Sequence, residues 1–161
     1  MRRKFAGKKH IVMYIDGACN GNPGPAASSA CFFAVRNSLK LLSDNESDEE
    51  AGALSDRGYS SSDDDEILSD RRDQDPAEQD LEFLCNSSIS IGFSTNNMAE
   101  YVGLVLGLVL SSFNKVDHIE IRTDSELMAK QVKGINTVRN VRLVYVMPIV
   151  HDLIKHFKSV Q

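Results

Sequence analysis

Tyr14-Ile15-Asp16-Gly17-Ala18-Cys19-Asn20-Gly21-Asn22-Pro23-Gly24-Pro25 decides the reading of this 161-residue chain. Upstream, His10–Ile15 is almost wholly apolar and rich in strand-forming residues, the pattern of a buried central strand. Asp16 ends that run, and the Gly- and Pro-dense segment after it is a strong turn signal. By itself, an Asp before such a loop shapes the turn.

Outward from this stretch the elements follow in order. Ala30–Val35 reads as a second strand. Residues 38–80 are a Ser-, Asp- and Glu-rich tract with few aliphatic residues, so they bury too little surface to offset their ordering entropy, and the sequence predicts disorder. Ile89–Phe93 alternates as a half-exposed strand does. Thr95-Asn96-Asn97 is a helix start, and Met98–Ser112 is apolar nearly all round, hence a buried helix. His118–Arg122 is a short strand, and Ser125–Lys133 a helix that Gly134 ends. Val141–Val146 continues as strand or helix, and Pro148 starts a last helix through His156. The order β-β-(insertion)-β-α-β-α-α predicts an α/β fold, a mixed sheet with helices packed against it. One domain over 9–160, interrupted by an insertion over 38–87, is the expected organisation.

Composition narrows the function. The longest apolar run, Tyr101–Leu110, is about half the ~20 residues that span a bilayer, so no membrane association is expected. Met1-Arg2-Arg3-Lys4 has no hydrophobic signal core after it. Cys19, Cys31 and Cys85 form no CxxC, which argues against a zinc ribbon or disulfide framework and for a cytoplasmic or nuclear protein. The net charge of −5 is divided unevenly. Residues 40–80 carry 15 acidic and 4 basic side chains, a net of −11, and the remaining 14 basic and 8 acidic leave +6. A basic body suits a phosphate-rich partner.

Three carboxylates stand at the edges of apolar segments: Asp16, Glu100 and Asp124. Each has a structural explanation of its own. Asp16 shapes a turn. Glu100 closes a capping box begun at Asn97. Asp124 caps the helix after it. All three also fall at β–α switch positions, where sheet sites cluster. Carboxylates that converge without a basic neighbour repel one another and need a hard, oxygen-loving cation such as Mg²⁺. Paired metals roughly 3.5–4 Å apart suit hydrolytic phosphoryl chemistry. Beside Asp16, Gly21, Gly24 and the two prolines form a rigid ridge poor in side chains. A nucleic-acid backbone can approach it closely, and Asn20 and Asn22 present amide groups there. The four histidines have no metal-ligand spacing, and Cys19 has no partner that makes it a nucleophile.

Together these motifs resemble type 1 ribonuclease H, and most closely its archaeal-like branch. Tyr14–Pro25 is similar to the family's first strand and its DG…GNPGP loop. Thr95-Asn96-Asn97-Met98-Ala99-Glu100-Tyr101 is similar to its TNN…E helix start, and Thr123-Asp124-Ser125-Glu126-Leu127 to its TDS element. The resemblance implies a ribonuclease H-like fold and Mg²⁺-dependent cutting of the RNA strand of RNA–DNA hybrids. It implies that Asp16, Glu100 and Asp124 are catalytic ligands of two Mg²⁺ ions, with Mn²⁺ as a substitute. It places Gly17, Asn20, Asn22, Asn96, Asn97 and Ser125 against the hybrid. A shallow minor groove displaying 2′-hydroxyls is how a protein tells RNA from DNA.

One departure is expected. The family continues into a further strand and a last helix with a fourth Asp, and this chain stops at Gln161 before that segment. Asp152 lies inside the preceding helix and is no substitute. Loss of that segment leaves part of one sheet face uncovered, a place for a protein partner. Two alternatives to the nuclease therefore stand: a hybrid- or RNA-binding remnant with weak or no turnover, and an interaction protein acting through its acidic tract.

Overall fold

The computed structural model describes residues 2–36 and 81–161, so the expected disorder of 38–80 falls outside the described residues. A short helix α1 (Arg2–Phe5) leads into β1 (His10–Cys19), β2 (Gly24–Val35) and β3 (Leu81–Ser94). Helix α2 (Asn96–Phe113), β4 (His118–Arg122), α3 (Glu126–Val132), α4 (Val141–Ile154) and β5 (Ser159–Val160) follow. The sheet runs β3-β2-β1-β4-β5. β2 is antiparallel to both β1 and β3, whereas β4 runs parallel to β1 and β5 parallel to β4. This is the expected mixed sheet with helices against it.

The core lies between α2 and the face of β1 that carries Ile11, Met13 and Ile15, which meet Leu104 and Leu108. Helix α2 comes unusually close to the sheet because its inner face carries glycines. A methyl group on Gly107 would overlap the Met13 sulfur, and one on Gly103 would sit 3.0 Å from the Ser29 carbonyl oxygen and 3.2 Å from that of Asp16. Tyr101 is buried in the same layer, and its hydroxyl donates to Gln131 Oε1 at 2.9 Å, tying α2 to α3. Burial, with the Glu100 carboxylate adding to it, pushes the Tyr101 phenol up to about 12.

Several expectations need correction. Asp16 is not the end of the first strand. β1 continues to Cys19, with Asp16–Cys19 paired to Ser29–Ala26, so the glycine- and proline-rich turn shrinks to Asn20–Pro23. Small residues here serve a tight antiparallel pair rather than a long loop. β3 begins at Leu81, so residues 81–87, placed in the insertion by composition, are strand. The single helix α4 spans 141–154 with Pro148 inside it, not at its first position. The side chain of Asn140 caps α4 by accepting from the Arg142 and Leu143 amides, and burial of Leu143 and Val150 holds the helix through the proline. The last strand, expected to be missing, is present as the two residues of β5. Gln161 N donates to Ile119 O at 3.0 Å and Ile121 N donates to Gln161 O at 2.9 Å, which extends the ladder along β4. Gly134 does follow α3 with φ +73°, the left-handed residue predicted there.

The Tyr101–Gln131 bond yields a measurable expectation. Tyr101→Phe leaves the Gln131 amide oxygen buried and unpaired, and urea unfolding should show a loss of about 1–3 kcal/mol. In alkaline absorbance titration of the folded protein, one tyrosine should ionise near 12. The phenol pKa lies above its unfolded value of roughly 10, so its contribution to stability is complete below that pH and is lost as pH rises through 12.

Candidate nuclease site

The three singled-out acids sit at one end of the sheet. Asp16 is exposed on β1 and Asp124 is exposed in the bend between β4 and α3. The half-buried Glu100 lies in the first turns of α2. Parallel pairing of β1 with β4, Tyr14 opposite Arg122, carries both strands to the same end. The close approach of α2 supplies Glu100. Gly17, next to Asp16, lies so near the helix that a methyl group there would overlap the Glu100 backbone nitrogen. Ser28, buried on β2, donates to Ala99 O at 2.6 Å and fixes the same turn of α2 against the sheet.

Each structural explanation for these acids gives way. Asp16 lies within a paired strand and shapes no turn. Glu100 caps nothing: Thr95 is the N-cap of α2, with its side chain accepting from the Met98 amide at 3.3 Å. Asp124 is displaced from the capping position by Ser125, whose hydroxyl accepts from the Met128 amide at 3.4 Å. The Ser125 hydroxyl also donates to Glu100 Oε2 at 2.6 Å, and Asn96 Nδ2 donates to Glu100 Oε1 at 3.1 Å. Asn22 Oδ1 accepts from the Asn96 backbone amide at 3.3 Å. So Asn22, Asn96, Glu100 and Ser125 form one hydrogen-bonded line that joins the β1–β2 turn, α2 and the start of α3. Asn20 and Asn97 are exposed beside it and join no hydrogen bond of that line.

The electrostatics single out the same three acids. Glu82, Asp117, Glu120, Glu126 and Asp152 are each paired with a lysine or arginine. Asp16, Glu100 and Asp124 are the remaining acids among the described residues, and none of them forms an ion pair. Asp152 is held by Lys155 at 2.8 Å on the exposed side of α4 and takes no part in the site. The expectation of directly converging carboxylates is not met, because among the described residues no three His, Cys, Asp or Glu side chains are gathered as a group able to hold a metal ion. Like charges without a counter-charge between them stand apart. Their chemistry still fits a hard cation, since all the donors are carboxylate oxygens. Both neutral donors on Glu100 leave it further lone pairs.

Sequence reasoning passed over three supports. Thr123 Oγ1 accepts from the Ser125 amide at 3.1 Å and shapes the bend around Asp124. Cys19 closes the turn, its thiol reaching Gly21 O at 2.6 Å and Ser94 O at 3.2 Å. One pleat below the acids, Arg122 donates to Glu120 at 2.7 Å and to the Tyr14 hydroxyl at 2.6 Å. Hydrogen bonding to Glu120 holds the Arg122 pKa above its usual range. The alternating Glu120, Arg122 and Asp124 was the signal available for that last contact.

The sequence profile of the reverse transcriptase-like family matches residues 78–161, just over half of the chain, and includes Glu100 and Asp124. The chain belongs to that family, within the ribonuclease H-like superfamily. Solved structures extend the likeness to β1 and β2. The N-terminal RNase H domain of a Mycobacterium tuberculosis protein is 22% identical, with a TM-score of 0.64 over 94% of this chain and 78% of that one. RNase H1 of Halobacterium salinarum gives 23%, a TM-score of 0.63, and 94% and 81% coverage. LC11-RNase H1, solved in complex with an RNA/DNA hybrid, gives 24%, a TM-score of 0.58, and 93% and 80% coverage. No curated protein matches the chain. At these identities the structural likeness establishes the ribonuclease H-like fold. Among the described residues no helix is long and apolar enough to cross a membrane.

Gly17 offers a direct check of the site's packing. Gly17→Ala forces a methyl group into the α2 backbone, and unlike a clash with a flexible side chain this needs the helix to move. A destabilisation of about 1–3 kcal/mol in urea unfolding is expected. In ¹⁵N–¹H spectra the Glu100 and Ser125 amides should be among the largest shifts.

Proposed function

We propose that this chain is a divalent-metal-dependent endoribonuclease that hydrolyses the RNA strand of RNA–DNA hybrids. The supporting observation is that, among the described residues, the three acids without an ion pair are the three at the sheet end where β1, β4 and α2 meet. Asp16, Glu100 and Asp124 are the residues that would hold two Mg²⁺ ions, with Mn²⁺ able to replace them. Bound there, such ions supply Lewis-acid stabilisation of charge on a phosphodiester and lower the pKa of water. The chain's own residues prepare the place. Asn96 and Ser125 fix both Glu100 oxygens, so the carboxylate is oriented before any cation arrives. Exposed Asp16 and Asp124 carry uncommitted oxygens.

The same geometry supports a hybrid-facing surface. Asn22 and Asn96 are locked to each other, with Asn20 and Asn97 exposed beside them. We assign these four, with Ser125, to contacts along the minor groove, where short amides meet 2′-hydroxyls. Gly17, expected there from the sequence, is buried against the Glu100 backbone and lies behind that surface. One ribonuclease H-like domain over 9–160, interrupted by the acidic segment, carries the site.

The test is cleavage of end-labelled RNA in a hybrid with Mg²⁺. Products with 3′-hydroxyl and 5′-phosphate ends are expected, and EDTA should abolish them. Asp16→Asn, Glu100→Gln and Asp124→Asn should each lower the rate by at least about a hundredfold, with hybrid binding kept within a few-fold. Cutting that survives all three substitutions together overturns the assignment. Binding without cutting, unchanged by Asp16→Asn, establishes instead the reading in which the groove binds but does not turn over. The spread of the three carboxylates is the observation that keeps this second reading in play.

A further inference from the structure

The outer edge of β3 is an unusual surface. β3 is fourteen residues long and, among the described residues, forms one border of the sheet. Border strands are commonly guarded by charge, proline or bulges, because their outward amides and carbonyls otherwise pair with another chain. From Phe83 to Ala99 there is no charged residue and no proline. Guards are present only at the ends. Glu82 is paired with Lys8, and Lys4 lies over the Phe83 ring. Bulges fall at Leu84 and Ile91, where the register to β2 shifts. Between them Cys85–Ser90 is a regular, unguarded six-residue stretch, with Asn86, Ser88, Ile89 and Ser90 exposed. Among the described residues, none of these side chains forms a hydrogen bond or ion pair.

We infer that this stretch pairs antiparallel with the same stretch of a second copy of the chain, joining two sheets edge to edge. A two-fold axis perpendicular to the sheet at Ser88 keeps each face continuous. It sets Ser88 opposite its own counterpart, Ser87 opposite Ile89, and Asn86 opposite Ser90. Like charges directly opposite one another are the usual barrier to a strand meeting its own copy. The stretch Cys85–Ser90 carries no charge, and its short hydroxyl and amide side chains hydrogen-bond across the axis. Self-pairing also satisfies the requirement that a two-fold interface present the same patch from both partners. β3 runs parallel to β1, so the two-fold points the carboxylate ends of the two copies in opposite directions. On the proposed function, each copy then presents its site to a separate nucleic acid.

The experiment is sedimentation equilibrium of the full chain from micromolar to millimolar concentration. A reversible monomer–dimer equilibrium is expected, with amide exchange at 86–90 slowing as the dimer fills. Ser88 is exposed and outside the site, so Ser88→Lys and Ser88→Glu should keep the far-UV spectrum. Each alone should weaken self-association by about tenfold or more, since it places like charges across the axis. An equimolar mixture of the two should associate again. A chain that stays monomeric throughout overturns the inference. So does a dimer whose strength neither substitution changes, or one that forms without slower exchange at 86–90. Should a Ser88 variant fail to fold, the exchange measurement on the unaltered chain decides alone.

Discussion

The site depends on how close one helix stands to one strand. Helix α2 lies against β1 through positions with no side chain, Gly17 on the strand and Gly103 and Gly107 on the helix. With ordinary residues there, the two backbones would separate by the width of a methyl group. Glu100 would then leave the neighbourhood of Asp16, and the Ser125 hydroxyl would lose its 2.6 Å reach to the carboxylate. Packing density in cores is high enough that such a gap is not absorbed elsewhere. The same contact places Leu104 and Leu108 against Ile11, Met13 and Ile15, so the hydrophobic core and the polar end of the sheet share one spacing.

Within that frame, the distribution of ion pairs is informative. Lysines and arginines of the body are spent on acids away from the site: Lys8 on Glu82, Lys9 and Lys158 on Asp117, Lys130 on Glu126, Lys155 on Asp152. Exposed pairs of this kind contribute little stability individually. Their arrangement nevertheless leaves Asp16, Glu100 and Asp124, among the described residues, without a basic partner. On the proposed reading, the excess positive charge of the body serves an anionic polymer and the three acids without a basic partner serve a cation.

Much of this was legible in the sequence because the signals were short-range. The apolar run at His10–Ile15 is a buried central strand, Thr95 and its neighbours start a helix, and Gly134 follows one. Asp16, Glu100 and Asp124 do fall at one end of the sheet, although Asp16 lies within β1 and not at its end. What escaped was set by pairing between distant segments. Residues 16–19 are extended because Ala26–Ser29 lie beside them, and the glycines and prolines between masked this. Leu81–Ser87 join the sheet through β2 although composition assigned them to the insertion. Pro148 sits inside α4 because buried Leu143 and Val150 outweigh a lost backbone bond, an overriding of local preference by tertiary packing. The cap of α2 is Thr95 rather than Asn97, which leaves the Glu100 carboxylate to accept from Asn96 and Ser125.

The way Glu100 is secured has one more consequence. Its two oxygens are gripped by an amide and a hydroxyl, both uncharged, with no lysine or arginine at hand. Mobile ions screen contacts between two charged groups more than short hydrogen bonds from uncharged donors to a half-buried carboxylate. The carboxylate therefore keeps its orientation from dilute buffer to concentrated electrolyte. Whatever ionic-strength response the protein displays toward a polyanion reports on phosphate contacts and cation competition, not on loosening of the scaffold beneath.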